Sequence, residues 1–158
     1  MDKAVVAVKE GFDVSADCDR TWAVLDDIAL IAQCIPNAKL KPSNQEGTYA
    51  GSISVKLGPV GVDFQGEATI DRWPDERRGL ITARGQDRFG SRVHAAIDFA
   101  VGAGGPAQTR VGIEGAIEVS GRLAGFARTG GQALARNLVG DFAKNLEWHM
   151  KNVEPREA

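Results

Sequence analysis

The sequence predicts an α+β domain in which a curved antiparallel sheet of about seven strands closes around one long C-terminal helix, with two short helices after the first strand. Three observations carry this. First, Tyr49 to Ile70 reads as a hairpin folded at Leu57-Gly58-Pro59-Val60. With Leu57 opposite Val60, Val55 faces Val62, Ile53 faces Phe64, Gly51 faces Gly66 and Tyr49 faces Ala68. That face is apolar or lacks side chains. The other carries Ser52, Ser54 and Lys56 against Asp63, Gln65, Glu67 and Thr69. Such alternation marks an antiparallel sheet covered on one side. A slip by one residue would bury Asp63 and Glu67, so the register is strongly specified. Second, Leu134, Leu138, Phe142, Leu146 and Met150 recur every four residues, with Ala127, Ala135 and Val139 beside them, which is one apolar stripe on a helix. Third, the segments between alternate in the hairpin's manner. Val93, Ala95, Ile97 and Phe99 are interleaved with His94 and Asp98, and Val111, Ile113, Gly115 and Ile117 with Arg110, Glu114 and Glu118.

The elements follow in order. A strand covers about Lys3 to Val14. Ser15 or Asp17 caps a short helix holding Trp22, Val24 and Leu25. Asp27 caps a second, through Ile28, Leu30 and Ile31, which Pro36 stops. Strands are expected at about Ala38–Lys41, Tyr49–Leu57, Val60–Arg72, Gly79–Arg84, Ser91–Val101 and Thr109–Val119, with turns at Pro74-Asp75 and Gly104-Gly105-Pro106. Ser120 is the expected N-cap of a helix from about Gly121 to Lys151. Gly121, Gly125, Gly130 and Gly131 each cost such a helix about 1 kcal/mol relative to Ala. They signal a broken first turn, close packing on the sheet, or a hinge that moves Leu123–Phe126 to admit a ligand. Gly51 opposite Gly66 signals either a sharply curled sheet or space kept open.

The expected organisation is a single domain over 1–151 with a polar tail over 152–158; the chain has 158 residues, near the commonest domain size. No apolar run of about 18 residues is present to span a membrane. The N-terminus has no signal-peptide pattern, which makes the cytoplasm the default. Cys18 and Cys34 are too few for a disulfide framework and are expected as reduced thiols. The formal charge is −2 and no basic stripe appears, which argues against nucleic acid.

Little in the sequence points to catalysis. His94 is expected on the outer face of its strand, and His149 near the end of the last helix, where a cation suits the dipole. Cys18, Cys34, His94 and His149 lack zinc-site spacing. Asp26 and Asp27 could pair as an acid site, but Asp27 is better used as a cap. The glycine runs at Gly102–Gly105 and Gly125–Gly131 lack the Lys of a phosphate loop. No catalytic residue and no metal ligand is therefore assigned.

A strand, two short helices, a meander of about six strands and a closing helix make a helix-grip fold. Trp22 through Leu25-Asp26-Asp27, Cys34-Ile35-Pro36-Asn37, Gly51 through Val55, Leu57-Gly58-Pro59-Val60, Phe64-Gln65-Gly66 and Val119-Ser120-Gly121-Arg122-Leu123-Ala124 resemble the carbon monoxide dehydrogenase CoxG family. That family is START-like, or polyketide cyclase-like, and the resemblance runs from roughly Val5 to Leu146. It implies an accessory protein of a molybdenum-containing hydroxylase of the carbon monoxide dehydrogenase type, helping couple it to the membrane and its quinone pool. It also implies a cavity suited to a lipid or quinone, with no covalent or metal cofactor. Many relatives extend to a hydrophobic C-terminal anchor. This sequence ends at Ala158 with Lys151, Glu154, Arg156 and Glu157, so the expectation is a cytoplasmic protein with transient contact at the inner face of the membrane.

From the glycine pairing, an elongated apolar pocket of roughly 300–1,000 Å³ is expected. Its ligand-binding wall is assigned to Trp22, Tyr49, Ile53, Phe64, Gly66, Ala68, Ile97, Leu123 and Phe126. Three functions remain open: a carrier of a hydrophobic small molecule serving the hydroxylase, a polyketide cyclase-type enzyme, and an assembly factor with a solid interior.

Overall fold

The computed structural model describes residues 3–57 and 59–152. Strand β1 (Lys3–Val14) leads into helices α1 (Cys18–Leu25) and α2 (Ile28–Cys34). Strands β2 (Ala38–Pro42), β3 (Thr48–Leu57) and β4 (Val60–Trp73) follow, then a 3-10 turn at Pro74–Glu76. Strands β5 (Arg78–Gln86), β6 (Arg92–Ala103) and β7 (Thr109–Ser120) precede helix α3 (Ala124–Asn152). The seven strands form one sheet in the order β1-β7-β6-β5-β4-β3-β2, every neighbouring pair antiparallel. This is the helix-grip arrangement read from the sequence.

The β3–β4 register is the expected one: Tyr49 pairs with Ala68, Gly51 with Gly66, Ile53 with Phe64 and Val55 with Val62. Gly58 of the expected turn, and 153–158 of the expected tail, lie outside the described residues, whereas Asn152 belongs to α3. Asp17, rather than Ser15, caps α1 by accepting from the Arg20 amide at 2.7 Å. Asp27 caps α2, accepting from the Ala29 amide at 3.0 Å.

Two expectations are corrected. Ser120 is not the N-cap of the last helix. It closes β7, paired with Lys3 on one side and Arg92 on the other. The ladder holds it extended, Gly121 then turns the chain at φ +92°, and the helix begins at Ala124. Nor does Gly66 keep space open. A Cβ there would lie 1.8 Å from the Arg84 carbonyl oxygen. At Gly51 it would lie 2.2 Å from the Lys39 oxygen, and at Gly115 2.1 Å from the Ala96 oxygen. In each case a neighbouring strand's backbone occupies the place of a side chain, so these glycines let the sheet curl.

The curled sheet grips α3 unevenly. Beside the C-terminal half of α3, Phe142, Leu146 and Met150 pack with Val14, Leu25, Ile28, Ile31, Phe99 and Val111. Helices α1 and α2 plug this end. Asn145 donates to the Cys34 carbonyl at 2.9 Å, the Ser15 amide donates to Glu147 at 3.0 Å, and Arg20 donates to the Met150 carbonyl. Along the other half of α3, Ala124, Ala127 and Ala135 pack with Val6, Val8, Val62, Phe64 and Leu123. Gly131 fits against Val6, whose Cγ2 would be 2.6 Å from an added Cβ, so this glycine serves close approach of helix and sheet. Gly125 and Gly130 meet nothing within 4 Å of a built Cβ. Neither α1 nor α2 reaches this second end.

Candidate functional site

The uncovered end opens into a cleft of about 940 Å³. Three segments form it. Val60, Val62, Asp63 and Gln65 come from the start of β4. Gln86, Arg88, Phe89 and Ser91 come from the β5–β6 turn, and Arg122, Leu123 and Phe126 from the approach to α3. Val62 and Leu123 are buried and belong to the hydrophobic cluster of this end, so the cleft has an apolar floor.

The β5–β6 turn is held by its own hydrogen bonds. The Asp87 carboxylate accepts from the Phe89 amide at 3.1 Å and the Ser91 amide at 2.8 Å. The Asp87 amide donates to the Ser91 carbonyl at 3.0 Å, and Gly90 supplies the left-handed backbone at φ +92°. The fully buried Ser91 hydroxyl accepts from the Leu123 amide at 3.3 Å. It therefore satisfies an N–H group at the entry to α3 that has no partner within the helix. The turn and the helix start are tied to each other across the cleft.

This tie leaves an apolar rim. Phe89 is 59% exposed, Phe126 44% and Val60 42%. The Arg88 and Arg122 guanidinium groups lie 4.8 and 5.6 Å from the Phe89 ring centroid, in cation–π range.

The nine residues assigned from the sequence fall into three places. Leu123 and Phe126 line the cleft. Ile53, Phe64 and Ile97 belong to the cluster beneath it, with Phe64 buried and the other two half-buried. Ala68 is buried and Gly66 exposed farther along β4. Trp22 and Tyr49 sit at the plugged end, where Trp22 packs at 6.0 Å from the Phe99 ring. Sequence reading missed Val60 as a rim residue, and with it Arg88, Phe89, Ser91 and Arg122. One signal was available: Phe89 is an aromatic inside the Asp87–Ser91 turn, out of phase with any buried face.

Few other groups have perturbed chemistry. Burial pushes the Cys34 thiol up, which leaves it unreactive. Burial alone would raise the Glu147 carboxyl, but hydrogen bonds from Ser15 and the Lys151 ammonium together hold it below the usual carboxylate range. His94 lies exposed on the outer face, between Arg84 and Glu118 in the ladder. Among the described residues no group of three or more His, Cys, Asp or Glu side chains could hold a metal ion. No described helix is long and apolar enough to cross a membrane.

Residues 11–150 match the CoxG family of carbon monoxide dehydrogenase. No curated protein sequence matches the chain. Among solved structures, a conserved protein from Geobacillus kaustophilus is similar with a TM-score of 0.80 at 16% identity, covering 96% of this chain and 95% of that one. A START superfamily protein from Mycobacterium smegmatis gives 0.66 at 17% identity, covering 94% and 99%. The ZhuI aromatase/cyclase from Streptomyces sp. R1128 gives 0.61 at 16% identity, covering 93% and 94%. At these identities the likeness is one of fold.

Proposed function

The chain belongs to the carbon monoxide dehydrogenase CoxG family, and from that premise we propose that it is a non-catalytic, START-like carrier of a lipid or quinone. In this reading it serves a molybdenum-containing hydroxylase of the carbon monoxide dehydrogenase type and helps couple that enzyme to the membrane quinone pool. The observation that carries it is the cleft of about 940 Å³ over an apolar floor at the end of the grip that α1 and α2 leave open. The volume suits a ligand of moderate size.

The chemistry of such a ligand fits the site. About fifteen buried methylene-like carbons gain roughly 12 kcal/mol on leaving water, and a bilayer offers much the same. A carrier then needs a pocket that matches the membrane, with an opening at the surface. The polar groups at the cleft argue against a cyclase. Asp87 is engaged by the Phe89 and Ser91 amides, and the Ser91 hydroxyl by the Leu123 amide. Neither is placed as a free acid or base.

Mixing the protein with quinone-loaded vesicles, pelleting them and assaying the supernatant tests the proposal. Quinone is expected in the supernatant in proportion to protein. Quinone confined to the pellet, with ligand-free protein above it, would reject the carrier and leave the assembly role.

A further inference from the structure

We propose that the rim of the cleft is a docking surface for an anionic bilayer, with Phe89, Phe126 and Val60 entering the headgroup region and Arg88 and Arg122 meeting lipid phosphates. This rests on the carrier reading for its purpose, but its evidence is separate. Among the described residues, half of the exposed large hydrophobic side chains, Val60, Phe89 and Phe126 out of six, gather around one opening. They come from three segments and ring the mouth, so each can enter an interface while the cavity stays open between them. An exposed apolar patch on a protein surface marks an interaction site.

The charges select the occupant. Elsewhere arginines are matched with carboxylates: Arg72 with Asp26, Arg77 with Asp19, Arg78 with Asp98 and Arg110 with Asp13. At the rim, among the described residues, Arg88 and Arg122 meet only the Phe89 ring and no carboxylate. Lys56 lies beside them, paired across the hairpin with Gly61 of the cleft wall. Two carboxylates share this end. Asp63 accepts from the Ser54 hydroxyl on the outer face, and Asp87 is buried within its turn. The cations are thus the outermost charges. The whole chain carries −2, so attraction to an anionic surface is local and orients the mouth toward it. Aromatic side chains beside unpaired cations match a bilayer interface, where apolar insertion and phosphate attraction act together.

Flotation with cargo-free vesicles tests this without reference to any ligand. Vesicles of phosphatidylcholine alone are compared with vesicles containing phosphatidylglycerol. Binding is expected on the anionic vesicles, and is expected to weaken as salt rises from about 0.05 to 0.5 M. Arg88→Glu with Arg122→Glu, and separately Phe89→Ser with Phe126→Ser, should each weaken binding about tenfold or more. Arg88→Lys with Arg122→Lys should retain it. Trp148, 63% exposed and about 33 Å along α3 from Phe126, provides the control, and Trp148→Ser should bind as wild type. All these side chains are exposed, and an unchanged melting temperature confirms the fold of each variant. No binding to anionic vesicles overturns the proposal, as does binding that the rim variants leave intact. Rim variants that instead lose affinity for the purified hydroxylase reassign the surface to a protein partner. Protein that loads quinone from detergent yet never floats keeps the carrier reading and ends this one; protein that floats by its rim but never loads does the reverse.

Discussion

The two ends of the grip use the same helix and sheet for opposite purposes. At the plugged end α3 presents Phe142, Leu146 and Met150 to α1 and α2, and hydrogen bonds from Asn145, Ser15 and Arg20 fasten it. At the open end it presents alanines and glycines, and Leu134 and Leu138 remain only half-buried. Large side chains with no room to spare give rigidity; small ones beside a cleft give little packing energy and a surface free to meet something else. Stability should therefore reside at one end and binding at the other.

The strongest way to break this contrast is Leu146→Ala. Leu146 is fully buried at the plugged end, and its truncation should cost about 3–4 kcal/mol in urea unfolding. Leu138→Ala, on the same stripe but half-buried, should cost about 1 kcal/mol or less. Equal losses would mean the two ends are packed alike.

Glycine replacements sharpen the contrast through their sign. Gly66→Ala places a methyl against the Arg84 carbonyl and should destabilise by about 2–3 kcal/mol. Gly130→Ala, in α3 with nothing within 4 Å, should stabilise by about 0.5–1 kcal/mol. Thermal unfolding reads both. Should Gly130→Ala also slow ligand loading, motion of the first half of α3 is part of loading.

The smallest effect is in acid. Glu147 is held below the usual carboxylate range in the folded chain, so its contribution is present above about pH 4.5 and fades as pH falls through the lowered value. Glu147→Gln should flatten that part of the stability–pH curve below about pH 5 and change nothing at neutral pH except loss of the Ser15 contact. An unchanged acid limb would show that the plugged end is not fastened there.

Much of the fold was legible because each strand buries one face. The pairs from Tyr49–Ala68 to Val55–Val62 follow from alternation alone, and Asp17 and Asp27 announce their helices as caps. What alternation does not encode is the distance between neighbouring backbones. Gly51, Gly66 and Gly115 therefore read equally well as room for a ligand or as a curl, and only the carbonyls at 1.8–2.2 Å decide for the curl. The rim was hidden for a related reason. Val60, Phe89 and Phe126 lie far apart in sequence, and no periodicity joins a hairpin tip, a turn and a helix entry. Ser91 was read as a strand start because its bond to the Leu123 amide spans two elements. Trp22 and Tyr49 looked like pocket walls because they are large and apolar, yet they stand at the plugged end with Phe99.

The pairing of β1 with β7 has a consequence for how the chain is made. Lys3 finds Ser120, and Val14 finds Thr109, only after roughly a hundred further residues have been synthesised, on the order of 5–20 s at typical elongation rates. Until then β2 to β6 can assemble by successive hairpins, while β1 waits with unpaired amides and carbonyls and with Ala4, Val6 and Val8 uncovered. Helix α3, which shields those side chains, leaves the ribosome last of all the described elements. The nascent chain thus exposes a sticky N-terminal strand for most of its synthesis, and a chaperone that recognises extended apolar segments has its best opportunity there.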